Sequence, residues 1–535
     1  MKNLLRTVFL LMPILFLASC SDDDDNGTLD PVNTVTYDLG SVSNPSINGV
    51  ATFIDNGNGT STIDLQLQGT SSGGQHPAHI HFNTAAEGGA IALDLGTVDG
   101  DTGFSTVTFS TLNDGTAIDF AGLIAFDGYI NVHLSENDLD TLVAQGDIGQ
   151  NELTGTEKSY VLGTVDVDGI NGTATFAQRA NGETLATIQL NGTPDDGMHP
   201  AHIHVGDATQ MGVIAIGLGV VDGATGTSSV NISTLDFNDD DDSNDVAITY
   251  TELLNYDGYI NVHLSADELE TLVAQGDIGQ NELTGTEKSY VLGTVDVDGI
   301  NGTATFAQRA NGETLATIQL NGTPDDGMHP AHIHVGDATQ MGVIAIGLGV
   351  VDGATGTSSV NISTLDFNDD DASNDVAITY TELLNYDGYI NVHLSTDELG
   401  TLVAQGDIGQ NEIINSISYD LNTLDVAGIS GSITFDERAN SEIYSVIQLE
   451  GTPVDGMHPA HIHMNSAEET GPVVVTLGTV NGETGIGTRT FTTFNDEETP
   501  FTYSDLIDYD GYVNVHLSMD EIETIVAQGN IGSNQ

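Results

Sequence analysis

Short stretches of alternating apolar and polar residues, separated by Gly, Asn and Asp, fill most of the chain. The stretch GTATFAQRANGETLATIQLNGT, residues 172–193, has two such runs around Asn181 and Gly182. Alternation places every second side chain on one face of a strand, and Asn-Gly is a strong signal for a tight hairpin turn. We predict a hairpin here, and further strands in MGVIAIGLGVVDG, GTSSVNISTL and YDGYINVHLS.

One segment has a helical rather than an alternating pattern. In SADELETLVAQG, residues 265–276, Ser265 precedes Glu268 by three residues, an apolar stripe begins at Leu269, and Gly276 ends the pattern. A capping box, an apolar stripe and a C-terminal glycine together indicate a helix. We predict one short α-helix at this place in each repeat.

Internal repetition dominates the organisation of the chain. Residues 151–280 and 281–410 differ only at Asp242/Ala372, Ala266/Thr396 and Glu270/Gly400, and diverged copies flank this pair. A repeat of this length matches an autonomous domain and is too long for a solenoid unit. We predict four beads in series, at 34–152, 153–282, 283–412 and 413–535, each with the strand content of a β-sandwich.

The histidines form a single recurring pattern. Each copy contains HPAHIH and, later, NVHLS, and these two motifs account for all 16 histidines of the chain. The predicted metal ligands are His76, His79, His81, His133, His199, His202, His204, His263, His329, His332, His334, His393, His458, His461, His463 and His516.

Strand alternation assigns these histidines to one face of the sheet. Ala78 and Ile80 share the face expected to be the core, so His79 and His81 lie on the opposite face. If the NVHLS strand is a neighbour, His133 completes a trio on the outer surface. Two readings without a metal stay open, a surface hydrogen-bond network and histidines buried in the core.

The spacing and the ligand type indicate a late transition metal. Side chains at i and i+2 of a strand stand about 6–7 Å apart, close enough to share one ion. All-imidazole sites suit copper, zinc or nickel and do not suit calcium. His76 has the opposite parity, but Pro77 interrupts the strand, so we expect His76 to swing in as a fourth ligand.

The N-terminus has the features of a secretory signal. Lys2 and Arg6 precede a short apolar run that ends in Leu-Ala-Ser-Cys at Cys20. This ending resembles a bacterial lipobox, which implies a signal peptide over 1–19, lipidation of Cys20 and an acidic linker over 20–33. We predict a lipid-anchored protein of the outer membrane and cell surface. The alternative is an ordinary signal peptide with an incidental cysteine.

The charge of the chain excludes several partners. The chain has 79 acidic and 8 basic residues, for a net charge of −71. Such a surface repels phosphate backbones, so we expect no nucleic-acid binding, and cations or a basic partner are the natural ligands. The acidic insertions at 236–245 and 366–375 could hold calcium, but they lack EF-hand spacing, and a solvated loop is favoured.

HPAHIH, the Gly-rich strands, GYINVHLS and the ending QGDIGQ resemble the chordin-type CHRD domain in all four copies, over about 34–535. The sequence departs from that family because GDIGQ lacks an arginine and because the family has a Pro-containing loop where we predict the helix. The resemblance implies four immunoglobulin-like or superoxide-dismutase-like β-sandwich domains. It also implies an extracellular location, and some members of the family bind other proteins.

The sequence favours a non-catalytic binding or structural array, with a histidine metal site in each module and an extracellular protein or matrix partner. The alternative is a copper- or zinc-dependent redox enzyme of the superoxide-dismutase type. Against that alternative, no zinc loop rich in histidine is present, and the negative surface repels superoxide. The nearest arginine in the second copy is Arg179, and the first copy has none.

Overall fold

The computed structural model describes residues 33–237, 244–367 and 374–535. The predicted signal peptide, Cys20 and nearly all of the acidic linker therefore lie outside the described residues. The same is true of the central parts of both acidic insertions, 238–243 and 368–373. Among the helices that are described, none has the length and apolar character that crossing a membrane requires.

The first copy forms one closed barrel of eight antiparallel strands with one short helix. Its elements are β1 (Thr34–Ser41), β2 (Asn48–Asp55), β3 (Ser61–Gln68), β4 (Gln75–Phe82), β5 (Ile91–Asp99), β6 (Phe104–Phe109), α1 (Phe120–Ile124), β7 (Asp127–Ser135) and β8 (Asp138–Gly149). The strand order is β1-β2-β3-β6-β5-β4-β7-β8, and β8 pairs with β1 at Gly40 and Ser41 to close the barrel.

The second copy repeats this barrel, in the order β10-β11-β14-β13-β12-β17-β18-β9, and adds a two-stranded sheet, β15-β16. Its elements are β9 (Leu153–Thr164), β10 (Asn171–Arg179), β11 (Thr184–Asn191), β12 (Met198–Val205), β13 (Ile214–Asp222), β14 (Thr227–Ile232), β15 (Thr234–Leu235), β16 (Val246–Ala247), α2 (Tyr250–Leu253), β17 (Asp257–Ser265) and β18 (Glu268–Gly279).

The third copy is built in the same way, as a closed barrel in the order β19-β20-β21-β24-β23-β22-β27-β28 and a two-stranded sheet, β25-β26. Its elements are β19 (Leu283–Thr294), β20 (Asn301–Arg309), β21 (Thr314–Asn321), β22 (Met328–Val335), β23 (Ile344–Asp352), β24 (Thr357–Ile362), β25 (Thr364–Leu365), β26 (Val376–Ala377), α3 (Tyr380–Leu383), β27 (Asp387–His393) and β28 (Leu402–Gly409).

The fourth copy has eight strands in the same neighbour order, β33-β32-β35-β36-β29-β30-β31-β34, with β33 and β34 at the two ends of the sheet. Its elements are β29 (Ile413–Thr423), β30 (Ser430–Arg438), β31 (Ile443–Glu450), β32 (Met457–Met464), β33 (Val473–Asn481), β34 (Ile486–Phe491), α4 (Tyr503–Ile507), β35 (Asp510–His516) and β36 (Ile525–Gly532).

The shared strand order follows a Greek-key path and encloses one core per copy. In the first barrel β3 neighbours β6 and β4 neighbours β7, so two connections cross over instead of forming hairpins. Alternate residues of each strand point inward, and in the third copy Phe306, Ile318, Ile333 and Val392 are almost completely buried in a single cluster. This alternation is the pattern that predicted strands from the sequence.

The structure confirms that the chain is all-β and made of four repeated units, and it places β10 and β11 on either side of Asn181-Gly182. In each of the first three copies the eight strands form one sheet that closes on itself, where the sequence had suggested a sandwich. The immunoglobulin-like and superoxide-dismutase-like assignments stay predictions.

The predicted helix at 265–276 is wrong. These residues belong to a hairpin in which Ser265 pairs with Glu268, and β18 then runs to Gly279. β18 also pairs with β9, through Ala274 opposite Thr164, so two ladders satisfy its backbone and override local helix propensity. The short helix of this copy begins instead after Thr249, whose side chain forms the capping box.

Candidate metal centre

Two neighbouring strands carry the histidines of each copy. β4 and β7 are antiparallel neighbours, with His81 opposite Tyr129 and Ala78 opposite Val132. Ala78 is completely buried in the core, so the alternation of β4 sends His79 and His81 to the other side. The register between β7 and β8 shifts at His133, and bulges of this kind redirect a side chain.

The structure brings three of the four histidines of each copy together. In every copy one nitrogen of each of the three rings lies within 4.8 Å of the other two. The histidine trios are His79, His81 and His133; His202, His204 and His263; His332, His334 and His393; and His461, His463 and His516. In the second copy the ring centroids stand 5.2, 6.0 and 6.2 Å apart, and the other copies repeat this triangle closely.

Backbone carbonyls fix which nitrogen of each ring is free. In the second copy Nδ1–H of His204 donates to the carbonyl oxygen of Gly212 at 2.9 Å, and Nδ1–H of His263 donates to that of Leu269 at 2.6 Å. A carbonyl can only accept, so in each neutral ring Nε2 carries the lone pair. Nε2 of both rings and Nδ1 of His202 are buried without a hydrogen-bond partner.

Burial keeps His202 and His263 neutral near pH 7. Burial, followed by the charges on the neighbouring rings of His263 and His204, lowers the pKa of His202 to about 4. The pKa of His263 is lowered as well, first by burial, although its hydrogen bond to Leu269 opposes the shift. Near pH 7 these two side chains are uncharged, which is the form that binds a metal.

A tyrosine and a glycine contact the ring of His204 and each other. Tyr259 stacks on His204 with ring centroids 5.1 Å apart, and the N–H of Gly212 donates to the Tyr259 hydroxyl at 2.9 Å. Gly212 thus binds both rings, through its N–H and its carbonyl oxygen. A Cβ at this position would lie 1.8 Å from the carbonyl oxygen of Val205, so only glycine fits.

Sequence reasoning missed this support, although it left a signal. The same glycine and tyrosine recur in every copy, as Gly89, Gly212, Gly342 and Gly471 and as Tyr129, Tyr259, Tyr389 and Tyr512. The glycine lies in the loop after the HPAHIH strand, so its contact with the histidine is not visible in a local pattern.

The trio is less exposed than the predicted surface position implied. His204 and His263 are only 9% and 6% exposed, and His202 is half-buried. The rings lie outside the barrel wall, but the loop that contains Gly212 and the hairpin that contains Leu269 cover them. The site is therefore a shielded pocket outside the core.

The structure does not bring His76, His199, His329 and His458 into the trios. His199 is completely buried, and its Nδ1 lies 3.2 Å from the carbonyl oxygen of His263. Pro200 does not break the strand as expected, because β12 continues through it with a register shift between Pro200 and His202. His199 therefore supports the backbone of a trio histidine from the inner side.

The donor set fits a late transition metal. Three imidazole nitrogens converge, their other nitrogens are fixed by the protein in two of the three rings, and no carboxylate belongs to the described cluster. Copper and zinc favour imidazole ligands, whereas calcium requires oxygen. Carbonyl partners that orient ligand histidines are the usual outer shell of such sites.

No protein-family description matches the chain, and no curated protein matches it. Among solved structures, a tetra-tandem repeat in the extending region of a large adhesion protein is 12% identical, with 89% of this chain and 96% of that chain covered and a TM-score of 0.11. The BSP domain of a biofilm-associated protein is 9% identical, with 97% and 99% covered and a TM-score of 0.15. These scores establish no common fold, and the chordin-type resemblance stays a prediction.

Proposed function

We propose that this protein is a cell-surface array of non-catalytic binding modules, each of which holds one copper or zinc ion in its histidine trio. One observation carries the proposal. Each of the four copies places three imidazoles around one point, and in the second copy the buried nitrogens His202 Nδ1, His204 Nε2 and His263 Nε2 all lack a partner. A buried polar atom without a partner is costly, and a metal ion would satisfy all three at once.

The bound ion would stabilise each module. It would join β12 to β17 through His202, His204 and His263, outside the core. Binding an ion that the unfolded chain does not hold raises the free energy of unfolding. The chain has no cysteine after Cys20, so disulfides cannot supply this stabilisation.

Repetition suits a binding role. Four modules in one chain raise the avidity for a repetitive partner without any new contact. With 79 acidic residues against 8 basic ones, the array would favour a basic extracellular protein or matrix component. The chordin-type resemblance, the lipid anchor at Cys20 and the surface location belong to this proposal. Cys20→Ser would release the protein from the membrane fraction if the anchor is lipid.

Calorimetric titration of residues 28–535 with copper, zinc and calcium tests the metal site. The proposal expects tight uptake of copper or zinc and none of calcium. His461→Ala with His463→Ala should remove the uptake of the fourth copy alone, and Met457→Ala, at an exposed neighbour of the motif, should leave it unchanged. Superoxide turnover by the metal-loaded chain would favour the redox enzyme instead of a binding array.

A further inference from the structure

The second and third copies are not separated by a free linker. Only residues 280–282 lie between β18 and β19. The N–H of Gln280 donates to the carbonyl oxygen of Tyr256 in the second copy at 3.0 Å, and the carbonyl oxygen of Glu282 accepts from the N–H of Ala310 in the third copy at 2.9 Å. Backbone hydrogen bonds thus bind the connecting segment to the copies on both sides.

A completely buried arginine crosses this junction. Arg309, at the end of β20, has Nη1 2.7 Å from Oδ2 of Asp277 and Nη2 3.5 Å from Oδ1 of Asp207. Nη1 also donates to the carbonyl oxygen of Asn281 at 2.6 Å. Because both aspartates belong to the second copy, the guanidinium of the third copy neutralises the end of its predecessor.

The same contact recurs at the other two junctions. Arg179 lies 2.7 Å from Asp147 of the first copy. Arg438 lies 3.1 Å from Asp337 and 3.7 Å from Asp407 of the third copy. All three arginines are completely buried, although arginine is among the residues least often found fully buried unless it is paired.

Most of the basic residues after residue 6 lie at or beside a junction between copies. Only six of the eight basic residues follow residue 6, and three of them are the junction arginines. Lys158 and Lys288 pair with Glu282 and Glu412, at 2.6 and 2.5 Å, and these two glutamates lie in the connecting segments. The sixth, Arg489, lies exposed on β34. Five of the six cations are therefore at or beside a junction.

The two oxygens of the junction aspartate have separate tasks. Oδ1 of Asp277 accepts from the N–H of Ala208 within its own copy, and Oδ2 accepts from the arginine of the next copy. In the fourth copy Asn530 stands at this position, and its Oδ1 still accepts from the N–H of Ala467 at 3.0 Å. The asparagine keeps the hydrogen bond within the copy, but it has a neutral amide nitrogen in place of the carboxylate oxygen that would accept from an arginine.

Two further junction positions differ between the copies. Asn56 of the first copy stands where the later copies have the arginine, whereas Asp207 and Asp337 are replaced by Thr84 in the first copy and by Ser466 in the fourth. The arginine is thus present in the second, third and fourth copies, and the acidic acceptor in the first, second and third. Each junction arginine therefore follows a copy that supplies the acidic acceptor.

We propose that each junction arginine is a directional latch that recognises the acidic end of the preceding copy and holds the two copies together without a metal ion. The guanidinium supplies the positive charge that the largely buried carboxylates of the preceding copy require. Removing it leaves those carboxylates buried without a counterion. The hairpin that carries the arginine, β20 and β21 in the third copy, should then separate from the preceding copy. The latch is separate from the histidine trio and does not depend on metal binding by it.

Hydrogen exchange of the full chain, followed by mass spectrometry, tests the latch at the junction of the third and fourth copies. The N–H groups of Ala439 and Asn440 donate to the carbonyl oxygens of Glu412 and Gln410, both at 2.9 Å. Peptides over 439–444 are unique to the fourth copy, whereas the second and third copies share most peptides. Arg438→Ala should speed exchange of these two amides at least tenfold.

Asp407→Asn is the milder second variant, because Asn530 shows that the fold accepts asparagine there. It should speed the same exchange several-fold. Arg489→Ala removes an equal charge away from the junction and should change nothing. Chelation of metal from the wild-type chain should also leave these amides protected. Unchanged exchange in both junction variants, or loss of protection on chelation alone, would overturn the latch; neither result bears on whether the trio binds metal.

Discussion

The histidine trio and the arginine junction are both buried polar clusters, but only at the junction do opposite charges of the protein meet. At the junction, Arg309 meets Asp277 and Asp207 and donates to a backbone carbonyl. In the trio, Nε2 of His204 and Nε2 of His263 present lone pairs that no protein group receives. Ion pairs between side chains of two copies serve contact within the chain, whereas converging lone pairs that face no donor indicate an external ligand.

Removing the junction arginine should have the largest effect on stability. Arg438→Ala leaves Asp337 and Asp407 as buried charges without a counterion, which costs about 3–5 kcal/mol. We expect the free energy of unfolding of the fourth copy, measured by denaturant titration, to fall by that amount, while copper or zinc uptake stays the same. If Arg438→Ala lost metal uptake as well as stability, the trio would depend on the junction, and the two clusters would not have separate roles.

Removing a trio histidine should be next in size, with the opposite pattern. His516→Ala takes away the ligand nitrogen Nε2, on a ring that the carbonyl oxygen of Ile522 orients through Nδ1, so metal affinity of the fourth copy should fall more than about 100-fold. In metal-free protein the exchange of the Ala439 amide should not change. Titration and hydrogen exchange of the same sample check both halves of this expectation.

A change in the outer shell should weaken the metal site without touching a ligand. In Gly471→Ala the new Cβ would lie 2.0 Å from the carbonyl oxygen of Met464, so the loop that binds His463 and Tyr512 must shift. We expect a loss of about 10- to 100-fold in affinity at the fourth copy. Equal affinity in calorimetry would show that the carbonyl of Gly471 does not orient the ring.

Acid should destabilise the metal-free fold through the trios. Unfolded histidines take up a proton near pH 6.5, whereas burial and the neighbouring rings lower the pKa of His202, His332 and His461 to about 4. Between these values the unfolded chain binds more protons, so stability is complete above pH 6.5 and is lost as the pH falls towards 4. Denaturant midpoints at pH 7.5 and pH 5 should differ less when these three histidines are replaced by asparagine.

The smallest expected effect is that of an exposed cation. Arg489→Ala removes one of the few positive charges, but it lies on the surface, and substitutions there change the free energy of unfolding by less than about 0.5 kcal/mol. A larger loss of stability would mean that net charge, and not the buried contact, explains the effect of Arg438→Ala.

Local patterns predicted the strands and the shared face of His79 and His81, because alternation along a strand is a local property. They failed where distant partners decide. β18 is a strand because Ala274 pairs with Thr164, more than 100 residues earlier, and no local pattern contains that pairing. His76 was misplaced because the register shift after Pro77 depends on the neighbouring strand β5.

The sequence contains signals of the junction that the predictions did not use. The change from QGDIGQ in three copies to QGNIGS in the fourth, and the rarity of arginine, mark both halves of the contact. What the sequence lacks is the distance between them, because Arg309 and Asp277 lie 32 residues apart and meet only when the hairpin folds back.

Elemental analysis of residues 28–535 after loading with copper or zinc and removal of free metal tests the central claim most directly. The trios predict four metal ions per chain, and three when His461 and His463 are both replaced by alanine. A metal content near zero, or one that stays the same in that variant, would contradict the assignment of the trios as metal sites.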